Sequence, residues 1–591
     1  MNRLLRAVGC VVLLAAVAAN SRGAEKPPAH AKAGVKHTLH SFKKVQLTDK
    51  FYSEGASFGD FNHDGVMDIV SGPYWYAGPN YTERHEYYPA KPFDIAGYSD
   101  DFFTFTYDVN GDGWTDIVVI GFPGAEASWF ENPKGKDGNW DKHLIMKTVD
   151  DESPTFADIT GDGKPEIVCA SDGQFGYAEI PKDDPTQPWK FHPITPKRGY
   201  QRFTHGMGIG DVNGDNRLDF LEKDGWWEQP AKDSKDEFWK FHAVKFSDGG
   251  GSQMFAFDVN GDGRNDVVAS KAAHGYGLSW FENLGKDDKG EIQFKEHKIM
   301  GEKPEENDYG VAFSQLHAVG IADMDHDGIP DIITGKRYWA HGGHDPGAHD
   351  PAVLYWFKTV RDGKDVHFIP YQIDGNSGVG TQVTVGDVNG DKWDDIVVGN
   401  KKGTFVFTHE VEQVDRRKWE GAQPLPRGAS KPAPEPQPAP AAAKPDSAKA
   451  DEGFPATADD GRVLNLDFEK GDLSDWTATG TAFEGQPIKG DTVHPRRADM
   501  VSGHQGKYWV GTFERNGDGP QGTLTSVPFK VTHPYASFLI GGGAGDALRV
   551  EIVRADKDEV VFKASGRATE QMQPAVADLS KVMGQRIFLR V

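Results

Sequence analysis

Residues 335–357, GKRYWAHGGHDPGAHDPAVLYWF, concentrate side chains that can bind a metal or move a proton. His341, His344 and His349 lie there beside aspartates such as Asp345. Imidazole and carboxylate together are the ligands that Zn²⁺ and other divalent transition metals prefer. His341 and His344 are close enough in the chain to share one ion, so we expect a metal here. The alternative is an exposed polar loop whose histidines form only local hydrogen bonds.

Titratable side chains also occur at matching places in neighbouring parts of the chain. His205 and His317 come just before short apolar strands, and His274 follows one. In an antiparallel blade, the loop before the first strand and the loop between the second and third strands open on the same side. These histidines should therefore meet His341, and His317 is a candidate third ligand for its metal.

Basic and acidic side chains complete this set. Lys336 and Arg337 open the histidine-rich segment and could hold an anionic or hydroxylated ligand, or could pair with neighbouring aspartates. Tyr98, Asp100 and Asp101, in GYSDDFF, precede another strand and should reach the same side of the fold. The sequence thus predicts one polar mouth built from several repeats.

The chain repeats one acidic loop seven times, in the pattern D-x-[N/D/T]-x-D-x-x-x-[D/E]. Oxygen side chains at the first, third, fifth and ninth positions can surround a hard cation, so we expect structural Ca²⁺ in most copies. The alternative of simple hairpin turns fits one such loop better than seven in register. The predicted calcium ligands are Asp60, Asn62, Asp64 and Asp68; Asp108, Asn110, Asp112 and Asp116; Asp158, Thr160, Asp162 and Glu166; Asp211, Asn213, Asp215 and Asp219; Asp258, Asn260, Asp262 and Asp266; Asp323, Asp325, Asp327 and Asp331; Asp387, Asn389, Asp391 and Asp395.

Three copies depart from the full pattern. Thr160 and Glu166 are weaker ligands in the third copy, and Asn216 and Lys392 replace the turn glycine of the fourth and seventh copies. We expect these three loops to bind calcium less well than the others.

Charge and cysteine content narrow the class of protein. The formal net charge is −24, from 65 Lys and Arg against 89 Asp and Glu, which argues against nucleic acid or an anionic membrane as a partner. Cys10 and Cys169 are the only cysteines, and Cys10 lies in the predicted signal peptide. One remaining thiol cannot form an internal disulfide, so bound Ca²⁺ would have to supply the cross-links.

The N-terminal residues 1–24 read as a signal peptide. Arg3 and Arg6 precede an apolar run, residues 8–19, that is shorter than a membrane span. Later segments are not apolar enough to cross a bilayer. We therefore expect an exported protein, periplasmic or extracellular.

The remaining chain predicts an all-β protein with two domains. Each acidic loop lies between two apolar strands and is followed by an aromatic strand and a fourth strand, which predicts a seven-bladed β-propeller over residues 40–415. Residues 423–460 are rich in Pro and Ala and predict a linker. Residues 462–591 alternate like a jelly-roll β-sandwich and look like the accessory carbohydrate-binding sandwiches of secreted glycan-active enzymes.

On these motifs, residues 40–415 resemble the FG-GAP/VCBS-repeat family of calcium-binding propellers. The motifs HGMGIGDVNGD, EKDGWWEQP, GSQMFAFDVNGDG and GKRYWAHGGHDPG further resemble the propeller domain of aldos-2-ulose dehydratases and related secreted bacterial proteins. In that group the propeller carries a metal-dependent sugar dehydratase site.

The resemblance implies removal of water next to a keto group of a sugar. A histidine would take the proton, and a metal or cationic side chain would stabilise the enolate. The catalytic candidates that it implies are His205, His274, His317, Lys336 and Arg337, with His341 and His344 as metal ligands. The implied partner is a carbohydrate or glycan surface, and the alternative is a non-catalytic propeller that binds glycan or protein at the cell surface. Which histidine is base and which is ligand stays open, as does the oligomeric state.

Overall fold

The computed structural model describes residues 36–232, 238–428, 455–458, 462–496, 501–517, 519–533, 535–543, 545, 548–566 and 569–591. The chain divides into two compact units, Met1–Glu435 and Pro436–Val591. The predicted signal peptide and most of the predicted linker lie outside the described residues. Within the described part, no helix has the length and apolar character needed to cross a membrane.

Unit 1 consists almost wholly of short antiparallel strands. In chain order they are β1 (His37–Thr48), β2 (Ser57–Gly59), β3 (Asp68–Ser71), β4 (Tyr74–Tyr76), β5 (Arg84–Glu86), β6 (Phe103–Tyr107), β7 (Asp116–Ile120), β8 (Ala125–Glu131), β9 (Asp141–Val149), β10 (Thr155–Ala157), β11 (Glu166–Ser171), β12 (Gln174–Glu179), β13 (Lys190–Pro193), β14 (Met207–Gly210), β15 (Asp219–Glu222), β16 (Gly225–Glu228), β17 (Lys240–Ala243), β18 (Met254–Phe257), β19 (Asp266–Ser270), β20 (Leu278–Lys286), β21 (Ile292–Met300), β22 (Val319–Ala322), β23 (Asp331–Gly335), β24 (Leu354–Asp362), β25 (Asp365–Asp374), β26 (Thr384–Gly386), β27 (Asp395–Asn400) and β28 (Gly403–Val414). Two 3₁₀ turns, Pro304–Glu306 and Ala340–Gly343, interrupt the loops, and helix α1 (Arg416–Ala422) follows β28.

These strands form seven four-stranded blades. Blades one to six follow chain order, from β2-β3-β4-β5 to β22-β23-β24-β25, and blades four and five are joined by a short parallel contact between β14 and β18. Blade seven is β26-β27-β28-β1, so the N-terminal strand supplies its outer edge. The long register of β1 on β28, for example Val45 opposite Val406, ties the start of unit 1 to its end.

The hydrophobic core is divided among the seams between blades. Seven buried clusters each join one blade to the next, including one in which Ile69 of blade one packs with Val397 and Val406 of blade seven. The second strands, such as β7, are buried along their whole length because each lies between two neighbouring blades. This ring of seams confirms the predicted all-β propeller and leaves no open sheet edge at the join.

The acidic loops are the turns between the first and second strands of every blade. In the first copy, Asp60 accepts backbone N–H bonds from Asp64 and Gly65 at 3.0 and 2.9 Å, which folds its carboxylate into the loop. The ninth residue, Asp68, is buried and accepts from Phe61 at 2.9 Å. The same pattern of bonds to the first and ninth residues recurs in later copies.

Carboxylates come close enough to share an ion in two copies. The oxygens of Asp158, Asp162 and Glu166 lie within 4.8 Å of one another, as do those of Asp323, Asp325 and Asp331. The third copy is therefore well assembled in spite of its substitutions. In the sixth copy, the Lys358 ammonium contacts Asp325 and lies 3.0 Å from Asp327, so a side-chain cation already neutralises part of that loop.

Unit 2 is also built mainly from strands. They are β29 (Trp476–Gly480), β30 (Ile488–Lys489), β31 (Tyr508–Trp509), β32 (Gly522–Ser526), β33 (Phe529–Lys530), β34 (Tyr535–Gly542), β35 (Arg549–Arg554), β36 (Glu559–Ser565), β37 (Thr569–Asp578) and β38 (Arg586–Arg590), with helix α2 (Thr512–Asn516) and a 3₁₀ turn at Ser580–Val582. The main sheet runs β29-β32-β38-β35-β36, with β33 also on β38. The β34–β37 pair contributes Ala577 to the same core as Ile552 and Ile587 of the main sheet. The two groups of strands thus share one core; the β-sandwich, its jelly-roll connectivity and carbohydrate binding stay predictions.

One buried carboxyl near the start of blade two makes the stability of unit 1 depend on pH. Asp101 is fully buried, with Oδ1 3.0 Å from the Thr104 hydroxyl and Oδ2 accepting from the Gly72 N–H at 3.2 Å. Burial raises its pKa to about 8. Because the folded-state pKa exceeds the value of about 3.9 in an unfolded chain, its contribution is fully present at low pH and is lost as pH rises from about 4 to about 8.

We expect Asp101→Asn to remove this dependence, because the amide is neutral at every pH. With calcium held saturating, the Tm of the variant minus that of the wild type should rise by several degrees between pH 5 and pH 8.5. Differential scanning fluorimetry over that range measures it. Parallel Tm profiles for the two proteins would contradict the assignment.

Candidate functional site

One residue from each blade lines the end of the propeller axis opposite the acidic loops. It lies in the loop that leads into the first strand, six residues before the first aspartate of each acidic loop. Going round the ring, these residues are Glu54, Phe102, Glu152, His205, Ser252, His317 and Thr381. We call this end the mouth. The loops between second and third strands open at the same end and add further side chains to it.

Four metal-ligating side chains converge at the mouth from four successive blades. One ligand atom from each of Glu152, His205, His274 and His317 lies within 4.8 Å of the others. His205 Nε2 is 3.4 Å from Glu152 Oε2, and His317 Nε2 is 3.4 Å from His274 Nδ1. We call this group the inner cluster. Three imidazoles with one carboxylate match the ligand set of a tetrahedral divalent transition metal.

Hydrogen bonding fixes the form of His205 in the inner cluster. Its Nδ1 lies 2.8 Å from the Phe203 carbonyl, which can only accept, so Nδ1 carries the proton. Nε2 is buried, has no hydrogen-bond partner, and faces the Glu152 carboxylate. A lone pair facing a carboxylate is repulsive unless a cation or a proton lies between them, so the residues present fit a bound metal ion.

The other two histidines of the cluster are held neutral. Burial, followed by the neighbouring His205 and His341, lowers the pKa of His274 to about 4. Burial followed by the charge of Arg337 lowers the pKa of the fully buried His317 well below its usual range. Neutral imidazole is the form that binds a metal, so both side chains are ready to act as ligands at neutral pH.

Arg337 organises the carboxylates around the inner cluster. Its guanidinium is buried, donates to Glu54, and lies 3.4 Å from Glu152 Oε2 and 3.3 Å from His317 Nε2. Burial by itself would raise the pKa of Glu152, but the positive charge of Arg337 acts in the opposite direction, and the pKa lies below its usual range. Burial raises the pKa of Glu54 against the opposing charge of Arg337. Glu152 is therefore an anion throughout the neutral range.

A second set of side chains lies on the histidine-rich loop, between β23 and β24. The Asp345 carboxylate is 3.0 Å from His341 Nδ1 and 3.1 Å from His274 Nδ1, and it accepts from Gln315 Nε2 at 3.3 Å. His341 is half exposed, and its backbone N–H donates to the Tyr98 hydroxyl at 3.2 Å. Because Nδ1 is engaged by Asp345, Nε2 is the ring nitrogen of His341 left for other contacts.

The remaining predicted site residues lie elsewhere. His344 is exposed and belongs to neither set of clustered side chains in the described residues; its backbone N–H bonds to the His341 carbonyl at 3.3 Å. His349 is exposed and packs edge-on against Trp339. Lys336 is buried beneath the loop, where Nζ donates to the Ala348 carbonyl at 3.1 Å and to Gln315 Oε1 at 3.3 Å. Lys336 thus anchors the loop instead of facing the mouth.

Glu54 and Glu152 are site residues that no sequence motif had indicated. Both stand in a plain acidic context, in YSEGAS and DDESPT, with no metal-binding motif around them. The signal that identifies them is register, since each occupies the same place relative to its acidic loop as His205 and His317.

Glutamine side chains cross the axis one residue further along the same loops. Gln253 of blade five donates to the Thr381 carbonyl and accepts from the Val319 N–H, both at 3.1 Å. Gln382 of blade seven bonds to both the N–H and the carbonyl of Thr104 in blade two, at 2.9 and 2.8 Å. The bonds to Thr381 and to Thr104 join blades that are not neighbours in the ring.

A curated relative shares part of this chain. The "Putative glycosyl hydrolase ecdE" of Aspergillus rugulosus is 32% identical over 149 residues, which are 24% of this chain and 20% of that protein. The match thus spans about a fifth of the length of the relative.

Several solved structures match this chain at low identity and low TM-score. The β-propeller domain of Myceliophteria thermophila Cps50 (Swd1) is 10% identical with a TM-score of 0.35, covering 63% of this chain and 99% of that one. An Agrocybe aegerita lectin that recognises non-reducing terminal N-acetylglucosamine is 19% identical with a TM-score of 0.34, covering 65% and 87%. The exotype rhamnogalacturonan lyase YesX is 13% identical with a TM-score of 0.34, covering 63% and 72%. At these values the likenesses say nothing about ligand or reaction.

Family models match the repeats themselves. The FG-GAP-like repeat matches residues 108–169 and 258–334, and the FG-GAP repeat matches residues 379–409. Each matched segment contains at least one acidic loop with its flanking strands, in agreement with the resemblance drawn from the sequence. Unit 1 is thus a β-propeller that contains segments matching FG-GAP repeats.

Proposed function

We propose that this protein is an exported, calcium-stabilised propeller that removes water from a keto-sugar at a divalent metal site in its mouth. The observation that carries the proposal is the inner cluster: one carboxylate and three histidines from blades three to six meet within 4.8 Å. On a merely solvated polar surface, side chains from four separate blades would not be expected to place their ligand atoms so close together. The resemblance of the mouth motifs to aldos-2-ulose dehydratases supplies the reaction class, and the relative named as a glycosyl hydrolase supports a carbohydrate substrate.

Glu152, His205, His274 and His317 would hold the metal, which we expect to be Zn²⁺ or a similar divalent ion. When bound, it would supply Lewis-acid stabilisation of negative charge on a carbonyl oxygen. Arg337 holds Glu152 in place as an anion through its contacts with Glu54, Glu152 and His317. These contacts keep the ligand set assembled before substrate arrives.

His341 is the proton carrier in this proposal. Asp345 holds Nδ1 at 3.0 Å, so Nε2 is free to take the proton from the carbon next to the sugar carbonyl. The electron pair of that C–H bond passes to the carbonyl oxygen and gives an enolate. When the carbonyl re-forms, a C=C bond forms to the next carbon, and the C–O bond on that carbon breaks. The departing hydroxyl takes the proton back from His341 and leaves as water, so the step consumes no oxidant or reductant.

The acidic loops would hold calcium at the opposite end of the blades. Their first and ninth carboxylates are already turned inward by backbone N–H bonds, and burial raises the pKa of ninth residues such as Asp116 and Asp219 to about 7. A cation at the loop favours the ionised form of these carboxylates and so stabilises the fold. Calcium is structural in this scheme, while unit 2 would bring the enzyme to glycan.

Variants at the mouth test the metal site and the base separately. We expect purified protein, loaded with Zn²⁺ and dialysed in the presence of Ca²⁺, to retain about one transition-metal ion per chain by mass spectrometry. Glu152→Gln should weaken metal binding at least about tenfold, because it removes an anionic ligand without changing size. His341→Ala should keep the metal and lower the rate of elimination about 10²- to 10⁴-fold, the usual contribution of a general base.

His344→Ala is the matched control, because it removes a histidine of the same loop that lies outside both sets. Elimination is followed by the ultraviolet absorbance of the conjugated enone formed from 2-keto sugars. If the parent and every variant retain only calcium, the metal-dependent dehydratase is wrong and a non-catalytic glycan- or protein-binding propeller is favoured instead.

Removal of calcium tests the loops. We expect a calcium-selective chelator to lower the Tm of the protein by roughly 5 °C or more relative to millimolar calcium, because ligands that bind only the folded state stabilise it. Restoring Ca²⁺ should recover the Tm, whereas Mg²⁺, which demands octahedral geometry, should recover less. An unchanged Tm after chelation would show that the loops are stable turns without an ion.

A further inference from the structure

An exposed aromatic ring stands at the mouth, next to the inner cluster. Of the large apolar side chains that the structure describes as exposed in unit 1, Phe203 is the only aromatic one, with 45% of its surface accessible; the others are Met67, Ile95 and Leu284. Phe203 precedes blade four by a few residues, in the loop that also carries His205. Its ring is therefore exposed in the same loop that supplies a histidine of the inner cluster.

The backbone at Phe203 is held in an unfavourable conformation. Its φ of 71° lies in the left-handed region, which is strained for a bulky residue and persists only where the surroundings impose it. Here the Phe203 N–H donates to the Asp150 carbonyl at 2.8 Å, and the Phe203 carbonyl accepts from His205 Nδ1 at 2.8 Å. The same strained residue thus orients a histidine of the inner cluster and points its ring to solvent.

Neighbouring side chains hold the Phe203 ring in place. We call Phe203, Arg202 and Phe122 together the aromatic wall. The Arg202 guanidinium lies 4.8 Å from the centre of the Phe203 ring and 4.9 Å from that of Phe122, and the two rings meet edge to face at 5.6 Å. Arg202 also packs on Gly124 of blade two, where an added Cβ would come within 3.0 Å of its side chain. The loop of blade four therefore reaches past blade three and rests on blade two.

This wall continues to the histidine-rich loop. Phe122 packs on Tyr98 at 5.2 Å, and the Tyr98 hydroxyl accepts from the His341 N–H. The contacts therefore run without a break from Phe203 through Phe122 and Tyr98 to the backbone of His341. Flat apolar faces beside a few convergent polar groups are typical of small-molecule sites, and the carbon–hydrogen face of a sugar ring is apolar while its edges are polar.

We propose that Phe203, backed by Arg202, is the surface on which the sugar ring of the substrate stacks, and that this contact sets specificity for ring-form sugars. The inference rests on the proposed function in that it names the substrate-positioning residue of the same mouth. Stacking on Phe203 would hold the sugar edge toward the inner cluster and His341, while Arg202 would donate to a hydroxyl at the outer edge. Phe203 has no part in the proton transfer itself.

The test uses the full-length protein loaded with Ca²⁺ and Zn²⁺, and compares Phe203→Ala, Phe203→Gly and Phe203→Tyr. We expect the alanine and glycine variants to bind D-glucose, which lacks the ketone and cannot eliminate, about tenfold more weakly by saturation-transfer NMR. With D-arabino-hexos-2-ulose they should show a similar rise in KM with little change in kcat. Glycine adopts a positive φ without strain, so a loss shared by both variants reports the ring and not the backbone.

Phe203→Tyr keeps the ring and should retain most of the affinity that alanine loses. Leu284→Ala is the matched control, because it removes an equally exposed apolar side chain from β20, in another blade; metal content and Tm check that every variant folds. Wild-type affinity in Phe203→Ala would overturn the proposal. If the wild type binds sugar, Phe203→Ala does not, and neither protein eliminates water, the stacking surface is supported and the dehydratase proposal is wrong. If the wild type binds no sugar, both proposals are wrong.

Discussion

The pairing of β1 with β28 is the interaction on which the other features of unit 1 depend. Each blade buries its apolar strands only against its two neighbours, so a ring with a gap would expose two half-buried seams. The N-terminal strand removes the gap by becoming the outer strand of the last blade, and the cluster around Ile69, Val397 and Val406 then seals the join. A closed ring forces the lead-in loops of all blades toward one axis.

The convergence of these loops brings buried carboxylates close together, and a buried cation is needed to offset their negative charge. Glu54 and Glu152 approach the axis from blades one and three, where two carboxylates removed from water would repel each other and lose solvation. Arg337, from blade six, lies between them and is itself covered by the rings of Tyr98 and Phe102 at 5.6 and 5.5 Å. The guanidinium offers several fixed donors, so one side chain can satisfy both carboxylates and still touch His317. The inner cluster is thus assembled on an ion-pair network that is independent of substrate.

Strand direction also separates the two kinds of ion site. The acidic loops join first to second strands, whereas the mouth is built from lead-in loops and from the loops between second and third strands. In a short antiparallel blade these lie at opposite ends, so the carboxylates of the acidic loops lie apart from the metal-ligating side chains of the inner cluster. Side chains at the mouth can therefore be substituted without altering the acidic loops of the repeats.

The sequence by itself determined the blade pattern, because each acidic loop and its flanking apolar strands are local features with a fixed period. It also placed His205, His274, His317, Arg337 and His341 at one end, since loop order within an antiparallel blade fixes the end at which each loop opens. Residues whose role is local were thus predictable from type and spacing alone.

Only the tertiary structure decided which of those residues meet. Glu152 joins the inner cluster and His344 does not, although the histidine stands in the richer motif, because contacts across the axis depend on the angle between blades and not on sequence distance. The same holds for Lys336, which turns under its loop to reach the Ala348 carbonyl, and for Asp345, which bridges His274 and His341. Side-chain direction at a convergence of seven loops is set by packing among blades, and no single segment of the sequence contains that information.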